Sequence, residues 1–248
     1  MTVAATVEQA SSRAESRAEG AVPFRFCGAD LVADASGALI WPAAGVIAVA
    51  DLHFEKGSGF AARGALLPPY DTAATLGRLE RLVADWAPRQ VICVGDSFHD
   101  SRAAARVDPA DARRISGLTA ACDWVWIAGN HDPLPPVAWG GRVTAGLDVG
   151  PLHFRHEAEP MLGSGVRGEV SGHYHPKARV RVRGGGRSGR CFITDRRRTI
   201  LPAFGAFTGG LDVLDPAIRR LMGPHYAVLL IGDKKVFPFG PQHLIPIA

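Results

Sequence analysis

The sequence predicts an α/β fold on a partly parallel sheet, and two observations predict it. Short apolar runs rich in β-branched residues alternate with segments of helical period in the first half of the chain, the pattern of βαβ units. The later runs are short strands with few helices between them, so the sheet is extended by strand-rich chain.

Taken in order, Val46–Ala50 (VIAVA) and Gln90–Val94 (QVICV) are uniformly apolar, as strands buried on both faces must be. Residues 123–128 (DWVWIA) form a third such run. Between the first two, Leu76, Leu79, Leu82, Val83 and Trp86 recur at helical spacing, which predicts a helix over Asp71–Trp86 with Asp71 as its N-cap. Pro109–Ala121 reads as a second helix capped by Asp108. Further strands are expected over 142–149, 151–155, Gly168–Ser171, 178–183 and 190–194. Residues 226–231 and 235–239, joined around Gly232-Asp233, read as a hairpin. Gly184-Gly185-Gly186 reads as a hairpin turn or loop.

The chain has 248 residues, 47% of them hydrophobic and 21% charged, with mean hydropathy +0.06. This is a globular composition, and no apolar run reaches the roughly 18–20 residues of a membrane span. The first 20 residues mix Arg and Glu with Ala and Ser and have no apolar stretch of a secretory signal. They are expected to be a disordered tail ahead of one domain over 21–248. Cys27, Cys93, Cys122 and Cys191 form no CxxC pair and read as small buried hydrophobes of a reducing, cytoplasmic compartment.

Ligands of open α/β sheets bind beyond the carboxyl ends of the strands, and those ends are unusual here. They read Asp51-Leu52-His53, Gly95-Asp96, Gly129-Asn130-His131-Asp132, His156-Glu157 and Gly172-His173-Tyr174-His175. A lone Gly-Asp is an ordinary turn, but five successive strands deliver Asp, His or Asn at one end. Asp oxygens, His nitrogens and an Asn carbonyl suit Mn, Fe or Zn. Seven such ligands can hold two ions if one carboxylate bridges, the arrangement that clamps the attacking and leaving oxygens of a phosphoryl displacement.

This series resembles the calcineurin-like metallophosphoesterases over roughly residues 40–180. DLHFEKG at 51–57, GDSFHD at 95–100, RHE at 155–157, SGHYHP at 171–176 and LPAFGAFTGGL at 201–211 are similar to the bacterial ligase-associated DNA damage response endonucleases. The resemblance implies a four-layer α-β-β-α sandwich and a manganese-dependent DNA endonuclease or phosphodiesterase, with a repair ligase or helicase as partner. It also implies a first metal on Asp51, His53 and His175, a second on Asn130, His156 and His173, and Asp96 between them. His131 would then protonate the leaving oxygen or stabilise phosphate charge, oriented by Asp132. In PLHFRHE both His153 and His156 are available; His156, at the strand end and in the matching context, is favoured. His99 is a candidate for phosphate contact.

The net charge of +4 conceals a concentration. Residues 177–198 hold nine basic side chains against Asp195 alone, a net +8 that leaves −4 for the remainder. Arg179, Arg181 and Arg183 alternate and so would share one strand face just after the candidate ligands His173 and His175. Such a face suits the phosphates of single-stranded or structured DNA. Phe204 and Phe207 are candidate stacking faces for unpaired bases. Two other functions fit the sequence: the same site acting on small or cyclic nucleotides, and a non-catalytic nucleic-acid-binding subunit. No feature sets the oligomeric state.

Overall fold

The computed structural model describes residues 20–65, 70–135, 137–163 and 165–247. The expected tail over 1–20 therefore lies, except for Gly20, outside the described residues. Two sheets pack face to face. The first holds β1 (Val22–Phe26), β2 (Ala29–Ala33), β3 (Leu39–Trp41), β4 (Val46–Ala50), β5 (Gln90–Val94), β6 (Asp123–Ile127) and β7 (Arg142–Thr144), in that spatial order. β1 to β4 run antiparallel and β4 to β7 parallel.

The apolar runs have a two-sided reason. Val46, Ala48 and Ala50 of β4, Ile92 and Val94 of β5, and Val125 and Ile127 of β6 face the second sheet. The alternate residues Ile47, Val49, Val91, Cys93, Trp124 and Trp126 face the helices. Those helices are α1 (Lys56–Ala61), α2 (Asp71–Trp86) and α3 (Pro109–Ala121); α2 and α3 cover the sheet with Leu76, Leu79, Leu82, Ile115 and Leu118. Asp108 caps α3, accepting from Ala110 N at 2.7 Å. Asp71 is not the cap of α2. Tyr70 holds that position, and the buried Asp71 carboxylate accepts from Gly57 N at 3.0 Å, tying α2 to α1.

The second sheet is built from β8 (Gly146–Val149), β9 (Leu152–Arg155), β10 (Gly168–Ser171), β11 (Lys177–Val182), β12 (Gly185–Thr194) and β13 (Arg198–Ile200), then, after α4 (Pro216–Arg219), β14 (Ala227–Ile231), β15 (Val236–Phe239) and β16 (Leu244–Ile245). Its order is β15-β14-β12-β13-β10-β9-β8, with β11 paired to β12 and β16. The expected single strand over 142–149 is two: the chain leaves the first sheet after Thr144 and enters the second at Gly146. β12 is longer than expected because Gly185 and Gly186 pair with Val182 and Arg181, which leaves only Arg183-Gly184 for the turn.

The fold class is the α/β sandwich expected, with an asymmetry. The outer face of the second sheet is covered among the described residues by a single-turn helix, α4, and loops packed on Val180, Ile193 and Val228. The hairpin of β1 and β2 was not legible beforehand. It turns on Cys27-Gly28, both with positive φ, the primed-turn geometry that Asn-Gly usually signals. Cys93 and Cys191 are fully buried, whereas Cys27 and Cys122 are half-buried. No helix among the described residues is long and apolar enough to cross a membrane.

Candidate active site

The parallel strands β4, β5 and β6 end at one rim, and the segments that follow stay zipped together. Asp51 N donates to Gly95 O, His53 N to Asp96 O and Phe54 N to Ser97 O, at 3.2, 3.0 and 2.8 Å. The backbone reverses hand at the residues of interest. Asp51, His53, Asp96, His173 and His175 all have φ between +44° and +69°, a conformation that costs a non-glycine residue on the order of 1 kcal/mol or more and persists only where surrounding bonds impose it.

The consequence is convergence. His156 Nε2, Asn130 Oδ1 and His173 Nδ1 form a triangle with sides of 2.8, 3.0 and 3.2 Å. His53 Nε2 lies 3.4 Å from His175 Nε2, and His175 Nε2 lies 3.3 Å from Asp51 Oδ1. Asp96 Oδ2 lies between the two groups, 3.4 Å from His156 Nε2 and 4.0 Å from His53 Nε2. Asp51 also falls within reach of Asp96 and His156 as a donor set, so its carboxylate borders both groups.

These residues fit a pair of divalent ions on structural grounds. Two pairs of imidazole nitrogens face each other at 3.2 and 3.4 Å, where lone pairs repel unless a proton or a cation lies between. The donors are mixed N and O, the chemistry of Mn, Fe and Zn sites. Three glycines leave the room: a Cβ at Gly95 would overlap the His156 ring, one at Gly129 the Asp96 carboxylate and backbone, and one at Gly172 the Asp51 carboxylate.

Electrostatics follow from burial and pairing. Asp51, His53, Asp96 and His156 are all buried. Burial pulls the His53 imidazole down to about 3, against the opposing charges of Asp51 and Asp96. Burial opposes ionisation of Asp96 too, but the His156 bond and the His131 N–H outweigh it and hold the carboxyl at about 2. His156 is raised: burial disfavours its cation, yet the Asp96 bond and the Asp51 charge prevail. Asp132 is pushed up to about 7 by burial.

His156, not His153, enters the cluster; His153 turns to Asp148 at 2.7 Å. His131 stands at the mouth with its side chain 45% exposed and Nε2 4.0 Å from Asp96 Oδ2. The orienting role expected of Asp132 is not seen. Asp132 Oδ2 accepts from Phe98 N at 2.9 Å, while His131 Nδ1 faces the His99 carbonyl oxygen at 3.1 Å. A buried carboxylate takes the backbone N–H beside it, leaving the neighbouring carbonyl to set the ring.

His99 is likewise placed differently from a phosphate contact. Its ring is buried, lying between Phe60 and His131 with centroids at 5.7 and 5.8 Å, and Nε2 meets Arg63 at 3.0 Å. Phe60 and Arg63 carried no sequence signal; they reach His99 only because α1 folds over the β5 end. Phe204 is fully buried beneath Arg78, so it stacks on the protein, and Phe207 is 39% exposed.

The segment 201–211 holds the rim from behind. Phe204 N donates to Ala50 O and Gly205 N to Asp51 O, while Leu211 bonds Tyr174 O and Lys177 N. A Cβ at Gly210 would overlap the His175 carbonyl. Next to it the β11–β12 hairpin begins. Lys177, Arg179 and Arg181 pair across with Arg190, Ser188 and Gly186 and share their face, since directly opposed residues point the same way. On that face Arg190 Nη1 donates to Ala203 O at 2.6 Å, and Ala203 bridges Ala50. Arg183 is in the turn beyond β11, off the strand face expected for it.

No family model matches the chain, and no curated protein matches it significantly. Among solved structures it is similar to a nuclease, MPE, of Pseudomonas putida, with 29% identity and TM-score 0.67 over 88% of this chain and 100% of that one. The chain has the calcineurin-like metallophosphoesterase fold. A phosphoesterase of E. coli, Yfce, aligns at 14% identity and TM-score 0.43 over 78% of this chain and 97% of its own. Two Asp/His groups that could hold metal ions lie on this fold, and the chain is a metal-dependent phosphoesterase hydrolase.

Proposed function

We propose that this metallophosphoesterase is a manganese-dependent phosphodiesterase that cuts single-stranded or structured DNA internally, in DNA repair. The observation that carries the polymer substrate is the cationic face of the β11–β12 hairpin, which starts two residues beyond His175 and bears Lys177, Arg179 and Arg181. Guanidinium groups suit phosphate oxygens, and a row of them suits a chain of phosphates rather than one. The 29% identity to a nuclease supports the same reading. A partnership with a repair ligase or helicase rests on the family resemblance alone.

Asp51, His53 and His175 would hold one ion, Asn130, His156 and His173 the other, with Asp96 shared. Bound there, the pair supplies Lewis-acid charge for phosphoester hydrolysis. The chain's own residues do the remainder. His156 is held by Val94 O, 3.4 Å from Nδ1, which leaves Nε2 for the ion. His131 Nδ1 donates to the His99 carbonyl, so its exposed Nε2 faces the mouth. From Nε2 a proton passes to the leaving oxygen as its bond to phosphorus breaks; the attacking water bonds phosphorus, keeps one hydrogen on the new P–OH and gives up the other, which replenishes Nε2. The stacked Phe60 and His99 rings keep His131 from swinging away.

The test is a circular single-stranded DNA, which has no ends, incubated with and without manganese and beside a panel of mononucleotides and cyclic nucleotides. Linear product in manganese is the expected result. Hydrolysis of the nucleotides with the circle left intact would reassign the site to small substrates.

A further inference from the structure

A second basic site lies at the other end of the same sheet. β10 and β13 run parallel, Glu169 opposite Arg198 and Ser171 opposite Ile200; the candidate ligand His173 follows the carboxyl end of β10, and the loop 195–197 precedes the amino end of β13. There a cavity of about 610 Å³ is lined by Arg196, Arg197, Arg220 and His225, with Met161 at its rim and Met222 at its floor. Met161 is 82% exposed and Met222 buried.

The walls are fixed. Asp195 accepts from Arg197 N, Arg198 N and Gly223 N, each at 2.7 Å. Arg198 bonds the buried Glu169, Leu221 O and the carbonyls of Glu159 and Pro160. The one acid and the inner arginine are thus committed to the scaffold. Among the described residues, none of Arg196, Arg197 and Arg220 lies within ion-pair distance of a carboxylate. Three exposed guanidiniums around a cavity with no free acid concentrate positive potential.

We propose that this cavity is a second nucleic-acid subsite, taking a phosphate on Arg196, Arg197 and Arg220 and an unpaired base against Met161 and Met222. The proposal rests on the polymer-cutting reading above and assigns it a contact remote from the metal centre. Guanidiniums match phosphate oxygens bidentately, and thioether side chains adapt to aromatic faces. A base with its phosphate uses both features, whereas a string of carboxylates would use only the first.

The experiment is the triple variant Arg196→Ala, Arg197→Ala, Arg220→Ala in the full chain. Its probes are a fluorescent phosphorothioate oligothymidylate that resists cutting, a poly-glutamate peptide and the small diester bis(p-nitrophenyl) phosphate. Affinity for the oligonucleotide is expected to fall about tenfold or more. Its salt slope should become shallower by roughly 0.7, the change for one single-strand phosphate contact. Small-diester hydrolysis should be unchanged, which also reports the fold. If wild-type protein cuts ordinary oligothymidylate while the variant binds the probe with unchanged affinity and slope, the subsite is refuted and the nuclease reading stands. Should wild-type protein hydrolyse the small diester yet neither bind nor cut the oligonucleotide, both fall. A greater loss of affinity for poly-glutamate than for the oligonucleotide would replace the assignment with an acidic protein partner.

Discussion

Asp195 follows directly on β12 and Asp96 follows β5 after Gly95, at opposite ends of the molecule, and they show how one residue type serves two purposes. Asp195 spends both oxygens on backbone N–H groups and so builds a turn. Asp96 spends one oxygen on His131 N and turns the other toward His156 and His53. The rim keeps facing imidazole nitrogens, His53 against His175 and His156 against His173, that cannot all satisfy one another; the opposite end satisfies its acid and leaves cations outward. Unsatisfied buried donors mark a place for an ion, because an unpaired buried polar group is otherwise costly.

The largest test of that contrast is Asp96→Asn. Loss of the shared carboxylate should lower small-diester hydrolysis by about a thousandfold or more, several kcal/mol at 1.36 per decade, and reduce the bound metal seen by elemental analysis. His131→Ala should cost about 10²–10⁴-fold in rate with metal content unchanged; equal activity would remove His131 from proton transfer. At the other end, Arg198→Ala removes the nearer cation from the buried Glu169 and leaves it Arg155 at 3.7 Å. It should destabilise the fold by about 1.5–3 kcal/mol in urea melts while leaving metal content intact in the folded protein.

Two glycines sharpen the comparison. Gly129→Ala puts a Cβ into Asp96 and should cost about 1–3 kcal/mol by overpacking, together with most of the activity. Gly223→Ala meets Asp195 Oδ2 at 3.3 Å and should change stability by under about 1 kcal/mol, read by the same melts. Smallest is the Glu80–Arg114 pair on α2 and α3, remote from both ends. The Arg114 hydrogen bond lowers Glu80 below its usual 4.5. Its contribution is therefore complete above 4.5 and lost as pH falls through the lowered folded value. With Glu80 41% exposed, Glu80→Gln should cost less than about 1 kcal/mol at pH 7 and nothing near pH 2.

The cluster of candidate metal ligands was legible because β4, β5 and β6 are buried on both faces. That burial makes each an apolar run, and the first polar residues after each run mark the rim. His156 was preferred to His153 by the same logic. Asp71 misled because a cap and a first-turn acid look alike one residue apart. The His131 partner was unreadable, since a backbone carbonyl has no side-chain signature. The basic stretch 177–198 read as one patch, and the fold cuts it in two. Six residues, roughly 20 Å at 3.3 Å per residue, carry the chain along β12 from Arg190 beside the rim to Arg196 and Arg197 at the far end.

The amino-acid sequence by itself determined the α/β class, the strand ends and the chemical identity of the donors, because burial period and turn residues are local properties of the chain. Tertiary structure alone decided which donors face each other, what orients His131 and which arginines share a surface. Those depend on strand register, on left-handed residues at the rim and on the direction each strand runs. Distances between such groups are set only when the two sheets close on their common core.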